Sequence, residues 1–274
     1  MESPADIIIL TGATGAIGTA LTHRLAAATR QPLSPFYRHT LLLACRNRGK
    51  AQKLREELEN DHREVRCEVA ELDLADEQSV RRFAASPLIK ASSSLTLMNN
   101  AGVMRREYGT DAMGRELSLA VNYFNTRLLT ELLLREEIEE REKREKRGRL
   151  RRVVFTTSIT RCLYKPFRER AKVSETEFHQ LRTYALSKRL ITDYAATLHA
   201  SGRCEVACAD PGVVDTGMIR MQRWYDPLAD LFFRPLIRKP WRGSLPAWRA
   251  LTSEAGYIYC ARRRHSLPDK KTGF

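Results

Sequence analysis

The sequence predicts a single α/β domain, a doubly wound parallel sheet with helices on both faces. Three observations carry that expectation. Short apolar runs recur at Ile7–Leu10, Thr40–Cys45, Leu95–Met98 and Val153–Phe155. Their length and their wealth of leucine, isoleucine and valine suit strands buried on both faces of a parallel sheet. Amphipathic stretches of helical length separate them, so strands and helices alternate. The first run also passes straight into Gly12, Gly15 and Gly18, followed by Ala20-Leu21 and Leu25-Ala26 at helical spacing. At 274 residues the chain is long enough for one well-buried core.

The elements follow in order. A helix from about Ala16 to Ala28 leads through a loop marked by Pro32 and Pro35 to strand two, Thr40–Cys45. Helix two covers about Gly49 to Asp61, strand three Arg66 to Leu72, and a third helix about Asp76 to Ala85. Strand four ends in Asn99-Asn100-Ala101-Gly102. A long helix then starts near Met113, with Leu117, Val121, Phe124, Leu128 and Leu132 on one stripe. Its continuation, Arg135 to Arg147, is almost all charge, with Glu137–Arg141 and Glu139–Lys143 among the pairs at i,i+4. Such pairs stabilise a helix by about 0.2–0.5 kcal/mol each, which supports a solvated extension and implies no function. Strand five spans Arg152 to Ser158, a helix runs from about Thr183 to His199, and strand six spans Cys204 to Ala209.

Composition narrows the class. No stretch approaches the roughly 18 uninterrupted apolar residues of a membrane span, and the N-terminus carries no signal-peptide pattern. The six cysteines are scattered, with no CxxC pair and no metal-ligand spacing, as suits a reducing cytoplasm. The formal charge of +14 comes from basic residues spread along the chain among glutamates. With no basic tail and no nucleic-acid motif, the charge reads as a solvated surface that also attracts a phosphorylated cofactor.

The glycine turn is where chemistry enters. A helix N-terminus presents unpaired backbone N–H groups and a favourable dipole, and glycines let a pyrophosphate approach the backbone. With a strand before and a helix after, the pattern predicts dinucleotide binding. In a doubly wound sheet the end of strand two lies beside the adenosine ribose. An acid there binds the 2′-hydroxyl, and an arginine binds a 2′-phosphate. This chain has no acid at that place and has Arg46 and Arg48.

A second constellation concerns proton transfer. Tyr184 and Lys188 are four apart in a predicted helix and so share a face. A phenol of pKa ~10 is a poor base near neutrality, and lowering it by roughly 3 units takes about 4 kcal/mol. An ammonium ~4 Å away supplies about 1 kcal/mol in water and about 4 at an effective dielectric near 20. The expectation is a depressed tyrosine pKa in a partly dry pocket. Ser158, at the end of strand five, would hold the reacting oxygen.

TGATGAIG, NNAG, the strand-end serine and Tyr184-Ala185-Leu186-Ser187-Lys188, in this order, resemble the short-chain dehydrogenase/reductase family over nearly the whole chain. That resemblance implies a Rossmann-type fold and hydride transfer between NADP(H) and a carbonyl or alcohol. It implies Asn122, Ser158, Tyr184 and Lys188 as the catalytic set, with Asn122 supporting a water and backbone relay to Lys188. By the same resemblance Thr11, Gly12, Gly15, Ile17 and Gly18 line the pyrophosphate, and Asp73 and Leu74 border the adenine. Asn100, Ala101 and Gly102 pass beneath the ribose. Pro211, Gly212, Val214 and Thr216 match the family's PGxVxT turn at the nicotinamide, Tyr184 and Lys188 also face the cofactor, and Arg46 stands where NADPH-preferring members place a base.

Two features depart from the compact members. TGxxGxxG is the spacing of the extended branch, which includes sugar-nucleotide epimerases, and it keeps an epimerase or dehydratase in view. The 26-residue interval from Ser158 to Tyr184 resembles the retinol-dehydrogenase-like branch. From Met218 to Trp241 the chain mixes Met, Trp and Phe with arginines, which suggests a lid at about 217–243 over an apolar substrate. Ordinary packing, a contact between copies of the chain, and peripheral contact with lipid are the competing readings of that segment. A catalytically idle NADP-sensing module is the remaining alternative for the whole chain.

Overall fold

The computed structural model describes residues 6–141, 150–163, 172–214, 238–260 and 263–268. Thr216, most of the expected lid (217–237) and the end of the charged helix (142–147) lie outside the described residues. The first strands and helices are β1 (Asp6–Thr11), α1 (Ala16–Thr29), β2 (Thr40–Cys45), α2 (Arg48–Asp61), β3 (Cys67–Glu71), α3 (Glu77–Ala84), α4 (Pro87–Lys90) and β4 (Ser94–Asn99). There follow α5 (Leu117–Leu119), a π-helical turn (Ala120–Phe124), α6 (Asn125–Arg141), β5 (Leu150–Thr156) and a 3-10 turn (Ile159–Leu163). The remainder is α7 (Gln180–Ala200), β6 (Glu205–Ala209), α8 (Pro240–Gly243), α9 (Leu245–Thr252), β7 (Tyr257–Tyr259) and β8 (Arg264–Ser266).

The strands form one sheet in the order β3-β2-β1-β4-β5-β6-β7-β8. Every pairing is parallel except β7 with β8. The chain winds outward from β1 to β3 and then returns to β4, so the winding reverses between β1 and β4. Ligands of doubly wound sheets bind at the strand C-termini beside such a switch.

Strand alternation divides the core in two. Ile7 and Ile9 of β1 bury against Val80, Phe83, Leu129, Leu133 and Ile191 from α3, α6 and α7. Ile8 and Leu10, pointing the other way, meet Leu21, Leu25, Leu54, Leu58 and Ala250 from α1, α2 and α9. Each fully buried isoleucine or leucine contributes about 1.5–3 kcal/mol of hydrophobic transfer. That is why the central strands read as uninterrupted apolar runs.

Three differences from expectation have local causes. The long helix begins at Leu117 rather than Met113. The Asp111 carboxylate accepts from the amides of Met113 and Arg115, making a turn, and Glu116 then caps the amide of Leu119. Strand five stops at Thr156, so Ser158 sits just beyond it and leads into the 3-10 turn. Strands β7 and β8, three residues each, are too short to leave a periodic signal. No helix among the described residues is long and apolar enough to cross a membrane.

Candidate active site

The C-terminal ends of the strands open into a cleft of about 540 Å³. Thr11, Gly12, Gly15, Ile17, Gly18, Arg46, Asp73, Leu74, Asn100, Ala101, Gly102, Ser158, Tyr184, Lys188, Pro211, Gly212 and Val214 all line it. Asn122 and Arg48 do not. Arg48 is the first residue of α2, capped by the Asn47 side chain.

The glycines each answer a local constraint. Gly12 takes φ +64°, and a Cβ there would lie 2.8 Å from Ala101 Cα, because β1 and β4 end side by side. A Cβ on Gly18 would sit 2.8 Å from the Ala13 carbonyl oxygen, so only glycine lets α1 start this close to the turn. Helix α1 has no side-chain cap and no acid in its first turn. Its leading amides therefore face the cleft without an intrahelical partner.

Thr11 and Asn100 line the cleft, but their polar atoms are engaged in building it. Thr11 Oγ1 accepts from the amides of Asn100 and Ala101, both at 3.0 Å. Asn100 Nδ2 donates to the carbonyls of Thr11 (3.0 Å) and Gly12 (3.2 Å). Together they lash the end of β1 to the end of β4.

Asn122 belongs to the π-helical turn. Its Oδ1 accepts from the Val103 amide at 2.8 Å, and its Nδ2 donates to the Val103 carbonyl (2.8 Å) and to Ser187 Oγ (2.9 Å). It braces the loop after β4 against α7. It approaches Lys188 only across Gly102, where an added Cβ would lie 3.2 Å from Lys188 Nζ and 3.4 Å from Asn122 Oδ1.

Tyr184 and Lys188 project from α7 into the cleft. Ser158 lies close enough to the Tyr184 hydroxyl to lower the phenol's pKa by hydrogen bonding. Ser158 Oγ also accepts from Thr160 Oγ1 at 3.0 Å and from the Thr160 amide at 3.3 Å. Lys188 Nζ donates to the Thr156 carbonyl at 2.9 Å and lies 5.6 Å from the Tyr184 ring centroid. The expected depression of the tyrosine pKa is not what this arrangement produces. Burial pushes Tyr184 up to about 12; the Ser158 hydrogen bond pulls the other way, and the Asp210 carboxylate adds to the rise. Burial brings Lys188 down to about 8, opposed by the negative charge of Asp210. Desolvation disfavours the charged form of either group, and here it is the largest cause in both.

Sequence reasoning missed part of the lining. Thr14, Met104, Ile159, Thr160, Leu181 and Val213 also face the cleft. Ile159, Leu181 and Val213 are unusually exposed for large apolar residues, at 54%, 41% and 41%. Their signal was position alone: Ile159 follows Ser158, Leu181 precedes Tyr184 by a turn, and Val213 lies in the Pro211-Gly212 turn. Trp241, expected in the lid, is absent from the cleft lining. Its carbonyl accepts from Arg24 of α1 at 3.0 Å, so the described end of that segment packs on α1.

A model of the NAD dependent epimerase/dehydratase family matches residues 8–214, from β1 to the turn after β6. Human retinol dehydrogenase 12 is 31% identical over 225 residues, covering 80% of this chain and 65% of that protein. The chain belongs to the short-chain dehydrogenase/reductase family. It is a retinol-dehydrogenase-like member. An uncharacterized oxidoreductase of Schizosaccharomyces pombe is 28% identical over 274 residues, 90% of this chain and 72% of the relative. The chain spans 65%, 41% and 38% of the lengths of the first three retinol dehydrogenases it matches.

Among solved structures of this family's fold, a putative NAD(P) dependent gluconate 5-dehydrogenase from Beutenbergia cavernae with bound NADP superposes with a TM-score of 0.65. It is 20% identical, over 94% of this chain and 95% of that one. A short-chain dehydrogenase from Sphingobium yanoikuyae in complex with NADPH gives 0.61 at 16% identity, over 94% and 88% of the two chains.

Proposed function

We propose that the protein is an oxidoreductase that moves a hydride between NADP(H) and a carbonyl or alcohol on an apolar substrate. The observation that carries this reading is the convergence of Ser158, Tyr184 and the buried Lys188 on one cleft, which the uncapped N-terminus of α1 also lines.

The residues present fit a dinucleotide. Gly12, Gly15 and Gly18 allow the tight turn that brings the uncapped amides of α1 to the cleft, where a pyrophosphate would bind, and Arg46 offers a guanidinium at the end of β2 for a 2′-phosphate. When bound, such a cofactor supplies the hydride. Tyr184, neutral at physiological pH with a pKa of about 12, donates its proton to the oxygen of a carbonyl under reduction. Ser158 holds that oxygen while charge develops on it. Lys188, still an ammonium below about pH 8, stabilises the phenolate left behind. The exposed Ile159, Leu181 and Val213 line the wall where the rest of the substrate lies, which favours an apolar molecule such as a retinoid-, steroid- or lipid-like aldehyde or ketone.

The test is NADPH consumption, followed by absorbance, against a panel of short and long aldehydes and ketones. Turnover that improves with apolar chain length supports the reading. Tight NADPH binding with no turnover on any carbonyl would leave an NADP-sensing module in its place.

A further inference from the structure

Beyond the Ser158, Tyr184 and Lys188 set lies a second group of buried charges that the chemistry above leaves unused. Arg161, in the 3-10 turn after β5, pairs with Asp210 at the end of β6. Their side chains are 12% and 3% exposed. A single nitrogen, Arg161 Nη1, donates both to Asp210 Oδ2 at 2.7 Å and to the Ser158 carbonyl at 2.8 Å. The Arg161 amide adds a second bond to the Ser158 carbonyl at 3.1 Å. On the far side, Asp210 Oδ1 accepts from the Gly212 amide at 2.9 Å, and the Asp210 amide donates to Tyr259 on β7 at 2.8 Å.

We infer that Arg161, anchored on Asp210, is a positioning residue that fixes the Ser158 hydroxyl towards Tyr184 and the reacting oxygen. The inference rests on the oxidoreductase reading above. Thr160 occupies Ser158 Oγ from one side with its hydroxyl and its amide. With its acceptor sites taken up there, the serine hydrogen is left to point into the cleft, towards the side where Tyr184 and the reacting oxygen lie. That orientation lasts only while the turn stays closed over Ser158, and the turn is held from beneath by Arg161. The clamp also ties Ser158 to the Pro211-Gly212 turn on the opposite wall of the cleft. A buried ion pair is weak evidence for stability, since apolar residues of similar volume often hold a turn as well. What this pair supplies is direction: one donor shared between the backbone of the serine and the anchor of the facing turn.

The experiment is a double-mutant cycle on single-turnover hydride transfer, with Arg161→Met and Arg161→Lys each made alone and on a Ser158→Ala background. Because one nitrogen makes both side-chain bonds, lysine can replace it. Misplacing a reacting group by about 1 Å costs on the order of 10²-fold, so Arg161→Met should lose roughly 10–100-fold. Arg161→Lys should stay near the unmodified rate. On the Ser158→Ala background Arg161→Met should cost almost nothing further, because a residue acting through Ser158 has nothing left to position. An equal loss on both backgrounds overturns the inference. Asp210→Asn, which keeps the carbonyl that receives the Gly212 amide and breaks the anchor of Arg161, is run in the same cycle in case Arg161→Met does not fold: its loss should likewise vanish on the Ser158→Ala background, and an equal loss on both backgrounds overturns the inference.

Amide hydrogen exchange supplies an arm that needs no activity. The Thr160 amide should lose protection in Arg161→Met and keep it in Arg161→Lys, and unchanged protection in both overturns the inference. Failure of the unmodified protein to transfer hydride to any carbonyl removes the oxidoreductase reading. Exchange at Thr160 would still decide whether Arg161 holds the serine.

Discussion

The Lys188 ammonium lies over the Tyr184 ring, 5.6 Å from its centroid, with a bond to the Thr156 carbonyl at 2.9 Å. The tyrosine is pushed up to about 12 and the lysine down to about 8, so near neutrality the phenol holds its proton and the amine its charge. A neutral phenol beside an ammonium is arranged to give a proton, as carbonyl reduction requires.

The pH dependence follows from these directions. Lys188 keeps its ammonium below about pH 8 and loses it above, so kcat/KM for carbonyl reduction should fall as pH rises through about 8. Tyr184 titrates near 12 and should add no limb in the working range. For stability, the lysine titrates near 10.5 when unfolded and about 8 when folded, so the unfolded chain binds more protons between those values. The lysine's contribution to stability should therefore increase from pH 8 to 10.5. In Lys188→Met both the basic limb and that rise should vanish. A pH–rate profile flat to pH 10 in the unmodified enzyme would contradict the assignment.

Gly102→Ala probes the space between Lys188 and Asn122. Its Cβ would stand 3.2 Å from Lys188 Nζ and 3.4 Å from Asn122 Oδ1, so the ammonium must shift to make room. Turnover should drop by about tenfold or more, in line with the sensitivity of positioned groups, while Tm changes little. Matched losses in turnover and Tm would mean a packing defect instead.

Cofactor choice should depend on Arg46. Only NADPH carries a 2′-phosphate for a guanidinium to pair with, so Arg46→Ala should weaken NADPH binding strongly and leave NADH binding nearly unchanged. Fluorescence titration with both cofactors measures this. Equal affinities in the unmodified protein would remove the preference for NADPH.

How much of this was legible beforehand differs by scale. Strands β1, β2 and β4 announced themselves because both their faces are buried, and the glycine turn because steric contact at Gly12 and Gly18 admits no side chain. Tyr184, Lys188 and Ser158 were readable from motif order. The direction of the tyrosine pKa was not, because it depends on how much water the fold removes, and spacing along a helix carries no information on that. The Arg161–Asp210 pair joins residues 49 apart in sequence and left no local sign. Nor did the bracing role of Asn122, which needs the π-helical turn to reach both Val103 and Ser187.

The apolar wall should govern substrate size. Ile159→Ser and Leu181→Ser remove exposed apolar surface without opening the core. KM should rise several-fold for long apolar aldehydes and hardly change for short ones, since only ground-state contact is lost. Identical changes for both would assign these residues to packing.

The most direct measurement is single-turnover hydride transfer by Tyr184→Phe, paired with NADPH binding by fluorescence on the same preparation. The substitution removes one hydroxyl and keeps the ring, so the fold and NADPH affinity should persist. The rate should fall by at least the ~10²–10⁴ that general acid–base catalysis contributes. A Tyr184→Phe protein that binds NADPH and reduces its carbonyl at the unmodified rate would contradict the account, because the proton would then come from another group.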